Sequence, residues 1–169
     1  QGYVVIIGTG RYFVNGDRAD TDIQSMYGIW DRLGNDLVPK SKLVQQAYTN
    51  QCETVTGDDS VATTTCGRTL SDESVNLLVS DDESVAPSVL GWYNDLNAAA
   101  AGDIAGSSGE RAIRNFQIRG GIGFVNSVLP TTSSACSASS GGFGLAFCPL
   151  TGGSSCLQDG VFDLNNDGA

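Results

Sequence analysis

Glu110-Arg111-Ala112-Ile113-Arg114-Asn115-Phe116-Gln117-Ile118-Arg119-Gly120-Gly121-Ile122-Gly123-Phe124-Val125-Asn126-Ser127-Val128 reads as one β-hairpin. Residues 110–118 and 122–128 form its two arms. Gly120-Gly121 between them supplies the positive φ angles that a tight hairpin turn needs. Glu110-Arg111 at the start reads as a local pair that orients the hairpin.

Strand patterns extend outward from this hairpin in both directions. Upstream, Val89-Leu90-Gly91-Trp92-Tyr93 is a strand, and 43–48 is another. Residues 69–79 carry a further strand pattern, with one helical turn over 72–78 as the alternative. Ser25-Met26-Tyr27-Gly28-Ile29-Trp30-Asp31 alternates, so Met26 or Tyr27 and Ile29 or Trp30 supply core. Tyr3-Val4-Val5-Ile6-Ile7 is a β-branched run that reads as a buried strand, closed by a turn at Gly8-Thr9-Gly10. Residues 11–14 continue it as an edge-like piece. Downstream, 143–148 is a strand, Thr151-Gly152-Gly153 a turn, and Val161-Phe162 a lead into the C-terminal loop. Trp30, Trp92 and Tyr93 lie in strands and are expected to pack in the core. The segments 15–22, 50–65, 81–83, 98–101 and 131–142 read as loops. About seven or eight short strands with glycine turns predict an all-β antiparallel meander with long polar loops, residues 1–169 forming one domain.

The composition narrows the function. The chain has 169 residues, 22 glycines, a single methionine and no histidine. Its net charge of −10 argues against a surface that tracks phosphates, so nucleic acid is not an expected partner. Absence of histidine excludes Ser-His-Asp and Cys-His chemistry. No apolar run is long enough to span a bilayer. An acidic extracellular protein fits best, and Gln1 reads as an internal position exposed by processing or cloning.

Cys52, Cys66, Cys136, Cys148 and Cys156 each lie in Ser/Thr/Gly-rich sequence, the setting of disulfide-stapled loops. Their spacing does not match a zinc site. Cys52–Cys66 is the preferred first pair, because it closes the polar excursion from Glu53 to Thr65 and makes 50–66 a disulfide-closed loop insertion. Cys148–Cys156 and Cys136–Cys148 are both open for a second bond, leaving one thiol over.

Phe162-Asp163-Leu164-Asn165-Asn166-Asp167-Gly168-Ala169 has the form of a calcium loop. Asp163, Asn165 and Asp167 take positions one, three and five, where hard oxygen donors are needed. Gly168 takes the turn position, and Ala169 offers its backbone carbonyl. The sequence ends before the later bidentate carboxylate, so 162–169 reads as a truncated Ca²⁺ loop. A second acidic stretch, 15–22, holds Arg18 at its centre and reads as a solvated loop.

Several motifs occur in a telling order: Val5-Ile6-Ile7-Gly8-Thr9-Gly10-Arg11-Tyr12, Gln24-Ser25-Met26-Tyr27-Gly28-Ile29-Trp30-Asp31, Asp36-Leu37-Val38, and Gly91-Trp92-Tyr93-Asn94-Asp95-Leu96. Gly109-Glu110-Arg111, Leu129-Pro130, Cys136, Gly141-Gly142, Thr151-Gly152-Gly153 and the calcium loop follow. This succession resembles the C-terminal β-propeller domain of the PilY/PilC family of type IV pilus-associated proteins.

The resemblance implies a partial β-propeller made of the C-terminal blades. It implies a non-enzymatic adhesin fragment at the pilus tip, outer-membrane-associated in a Gram-negative bacterium, active in pilus biogenesis, surface attachment and twitching motility. Minor pilins and a host or abiotic surface would be its partners. Ca²⁺ would be held by Asp163, Asn165, Asp167 and the Ala169 carbonyl. The Cys52–Cys66 excursion departs from the family pattern. Two alternatives stand beside this reading. One is a self-assembling fibre subunit that uses exposed sheet edges; the other is a quinoprotein-type propeller enzyme, for which the sequence offers no site.

Overall fold

The computed structural model describes residues 2–34, 37–56, 62–77, 88–99, 108–130 and 141–157. Among them are nine strands, two short 3-10 turns and no α-helix. The strands are β1 (Tyr3–Gly8), β2 (Ser25–Asp31), β3 (Val44–Gln46), β4 (Tyr48–Thr56), β5 (Ala62–Leu70), β6 (Gly91–Asp95), β7 (Gln117–Arg119), β8 (Ile122–Asn126) and β9 (Gly144–Phe147). They form a four-stranded sheet in the order β1-β2-β6-β3, a β4-β5 ribbon and a three-stranded sheet β7-β8-β9.

The three-stranded sheet is the expected antiparallel meander. Gly120 and Gly121 take φ of 58° and 84°, so the Gly-Gly turn forms as read. The upstream arm is shorter than expected. Arg111 still bridges Val128, but 112–116 leaves the ladder. Ala112 packs beneath Gly8, and Phe116 meets the Phe147 ring edge-on at 6.0 Å. Tertiary packing outweighs the local strand pattern there.

The four-stranded sheet is not a simple meander. β6 pairs antiparallel with β2, and β3 pairs parallel with the far edge of β6. Its inner face carries Met26 and Trp92, both fully buried, against Phe147 of β9. Leu96, Val125, Leu145 and Tyr48 complete this core. Trp30 and Tyr93 are half-buried, so the packing role expected of the aromatics is met most fully by Trp92.

Three expectations are corrected. β1 is not a buried strand: it sits at the sheet edge, and Tyr3, Val5 and Ile7 are exposed. Residues 11–14 form no strand. The Asp17 carboxylate accepts the Phe13 and Val14 N–H groups at 2.8 and 3.0 Å and draws the backbone into a 3-10 turn at Asn15–Arg18. Of the stretch expected as a polar loop over 50–66, the described residues 50–56 and 62–66 instead belong to two paired nine-residue strands. Threonine and valine favour extended backbone even where hydrophobicity is low. Of the 69–79 pattern, Thr69 and Leu70 close β5, and 71–77 is irregular.

Candidate functional site

The described polar side chains converge at three places, each joining elements distant in sequence. The first is the turn that follows β9. Cys148 and Cys156 are disulfide-bonded with their Cα atoms 5.5 Å apart, which decides between the two pairings left open by the sequence. Within the turn Cys148 N–H donates to Gly153 O, and Gly152 N–H donates to Cys148 O. The Trp92 indole N–H donates to Pro149 O at 3.0 Å, and Gln46 Nε2 donates to Thr151 O at 3.0 Å. Ser154 N–H reaches Ser71 O, and Ser155 N–H reaches Asp72 Oδ1. Gly152 has φ of 68° and presses on the Trp92 ring, which leaves no room for a methyl group.

The second place is a buried charge pair. Arg68 of β5 donates through Nη1 to Glu110 Oε1 at 2.8 Å and through Nε to Asn50 Oδ1 at 2.7 Å. Both charged side chains are almost wholly buried, Arg68 at 5% and Glu110 at 0% exposed. The Arg68 guanidinium also lies 3.5 Å from the centre of the Phe143 ring. Tyr48 donates to Ala146 O nearby. Burial pushes its phenol well above the ordinary value; Arg68 opposes that shift and Glu110 reinforces it. Arg68 Nη2 and Glu110 Oε2 have no protein partner, and an ordered water is the group suited to bridge such atoms. The pair anchors the β4-β5 ribbon to the body of the protein.

The third place is Arg111, fully buried. Its guanidinium donates to Gly109 O at 2.9 Å, Arg11 O at 2.6 Å and Asp20 O at 2.7 Å. It thereby clamps the 11–20 segment, of which the sequence presented 11–14 as an edge-like strand piece and the remainder as a solvated loop. Hydrogen bonds from Val14 and then Phe13 hold the Asp17 carboxyl below its ordinary value; burial opposes this and Arg11 assists it. Glu110 and Arg111 are therefore not a local pair. Alternate backbone positions send them to opposite clusters, Glu110 to Arg68 and Arg111 to three carbonyls.

The sequence-predicted site residues separate into two groups. Cys52 is disulfide-bonded, and the ladder places it directly opposite Cys66. Cys136 and the calcium loop (Asp163, Asn165, Asp167 and Ala169) lie outside the described residues. Among the described residues no three His, Cys, Asp or Glu side chains are grouped to hold a metal ion. No helix there is long and apolar enough to cross a membrane. Sequence reading missed the Arg68–Glu110 pair and the Gln46 junction. A lone arginine within a threonine-rich strand was the available signal for the first.

These features define a disulfide-bonded all-β protein whose described polar clusters join sheets to one another. The chain is 31% identical to the type IV pilus biogenesis factor PilY1 from two strains of Pseudomonas aeruginosa, over 99% of its own length. It is 30% identical to a PilY1 homolog of Xylella fastidiosa over 97% of its length. The chain belongs to the PilY family. It spans only 14% of the Pseudomonas relatives and 11% of the Xylella one. No family model and no solved structure matches it.

Proposed function

We propose that this chain is a segment of a type IV pilus biogenesis factor that acts at the cell surface without catalysis, as a pilus-associated adhesin. The observation that carries this reading is the alignment of nearly the whole chain with proteins named for that role in pilus biogenesis. Its sheets serve as blades of a β-propeller, with minor pilins on one side and a host or abiotic surface on the other. Ca²⁺ held by Asp163, Asn165, Asp167 and the Ala169 carbonyl fixes the C-terminal loop and supplies no chemistry; the D-x-N-x-D-G spacing supports this.

Removing the coding segment for these residues from the bacterium that encodes them tests the reading. Surface pili counted by electron microscopy and the twitching zone on agar are both expected to collapse. Normal piliation and motility in that strain would overturn the assignment. Replacing Asp163 and Asp167 together by alanine is expected to abolish Ca²⁺ binding in calorimetric titration of the parent protein. Unchanged binding would remove calcium from the proposal while leaving the pilus role in place.

A further inference from the structure

The turn that follows β9 ties together segments far apart in sequence, yet it brings almost no apolar surface of its own. Between Cys148 and Cys156 lie Pro149-Leu150-Thr151-Gly152-Gly153-Ser154-Ser155. Leu150, the one large apolar side chain among them, is exposed, and Pro149 is half-buried. Polar bonds dock the turn instead. Trp92 Nε1–H and Gln46 Nε2–H donate to Pro149 O and Thr151 O, while Ser154 N–H and Ser155 N–H donate to Ser71 O and Asp72 Oδ1. Each such bond contributes little net stability, because water replaces it when the turn lifts away. Holding seven residues in one conformation costs more than these few bonds contribute. Closure at Cys148–Cys156 removes much of that freedom before the turn docks.

The other half of the same junction is apolar. The Trp92 and Phe147 rings meet directly, and Met26 and Leu145 belong to the same core. That contact needs no disulfide. The two sulfurs of the turn are also unequally placed, since Cys148 is buried and Cys156 is exposed. Cys52, by contrast, is half-buried within the β4-β5 ladder, opposite Cys66. Attack by a thiolate is therefore easiest at Cys156 Sγ.

We propose that the Cys148–Cys156 turn is a redox-operated clasp, which covers Trp92 while its bond is closed and lifts away when a thiol reductant opens it. In the opening step a thiolate forms a mixed disulfide with Cys156, and Cys148 leaves as a thiolate that takes up a proton. A second thiol then attacks the mixed disulfide and frees Cys156. Two reductant thiols become one disulfide while the protein disulfide becomes two thiols, a two-electron exchange. The inference does not rest on the pilus reading.

Dithiothreitol titration of the whole chain tests it, read by hydrogen exchange in the reductant and then by alkylation and peptide mass spectrometry. Cys148 and Cys156 are expected to be alkylated at a reductant concentration that leaves Cys52 unlabelled. Glutathione in place of dithiothreitol is expected to be trapped on Cys156 and not on Cys148. Once the bond is open, exchange at Trp92 Nε1–H and at the Gly152, Ser154 and Ser155 amides is expected to accelerate about tenfold or more. The β2–β6 amides are expected to keep their protection, because the apolar half of the junction stays closed. Cys148→Ala combined with Cys156→Ala is expected to give the same pattern without reductant. Should that variant not be obtained folded, the titration of the unaltered chain decides alone. An unchanged Trp92 indole with the bond open would overturn the proposal, since the turn would then be docked without its disulfide. Earlier opening of the Cys52 bond, or loss of β2–β6 protection together with the turn, would overturn it as well, because the Cys148–Cys156 bond would then be no separate switch.

Discussion

The four-stranded sheet and the β4-β5 ribbon are both built from strands, yet different forces hold them in place. The sheet is held by apolar burial: Met26 and Trp92 are inaccessible to solvent, and the Trp92 and Phe147 rings lie 5.4 Å apart. The ribbon contributes Tyr48 to that core. It is otherwise fixed by its ladder, by the disulfide at Cys52 and by the buried Arg68–Glu110 pair. A buried ion pair gives little net stability, because desolvating both charges offsets most of their attraction. Its effect is to make one docking geometry far better than the others. Strand formation alone thus does not say how an element is attached.

The contrast can be tested by mutation, and the largest effects are expected at Trp92 of the sheet and at the Arg68–Glu110 pair that anchors the ribbon. Trp92→Ala should cost about 3–5 kcal/mol, through lost burial and a cavity between the sheets. Urea unfolding of the whole chain measures this, and a cost near zero would show that the sheets are not joined at Trp92. Glu110→Ala should cost a similar amount, about 3–5 kcal/mol, because it strands a buried guanidinium. The double variant Arg68→Met, Glu110→Leu should recover most of that loss. If the double variant is as unstable as the single one, the pair contributes stability and not merely geometry.

A smaller, pH-dependent effect belongs to the 3-10 turn. The Asp17 carboxyl sits below its ordinary value of 3.8 when folded, so its contribution is complete above that value and is lost as pH falls through the lower folded value. Protection factors at the Phe13 and Val14 amides, taken relative to intrinsic exchange at each pH, should therefore fall on acidification below about pH 4, while the β2–β6 amides stay protected. Uniform loosening of both regions would show that the turn is not an independent unit. The smallest effect is expected at Lys40, which pairs with Asp95 at 3.0 Å and lies over the Tyr93 ring on the outer face. Its side chain is half exposed, so Lys40→Ala should change stability by less than about 1 kcal/mol. A larger loss would mean that the outer face is more enclosed than its exposure indicates.

How much was legible in the chain varied with the kind of signal. The Gly120-Gly121 turn between β7 and β8 was legible because positive φ at paired glycines is a local requirement. The strands around Met26 and Trp92 were legible because their patterns are local too. The insertion of β6 beside β2 was not, since strand order depends on contacts between residues far apart in sequence. The ribbon was misread as a loop because low hydrophobicity was weighed above the extended preference of threonine. Glu110-Arg111 was singled out, but adjacency suggested a pair where alternation sends the side chains apart.

By itself the sequence determined the all-β class, the glycine turns, the oxidising chemistry suggested by the cysteines and the family. Each rests on residue type, local spacing or motif order. Only the tertiary structure decided that Cys148 bonds Cys156, that Arg68 rather than Arg111 meets Glu110, and that β1 is the end strand of the described four-stranded sheet. Those outcomes depend on which surfaces exclude water together, and no local spacing in the chain carries that information.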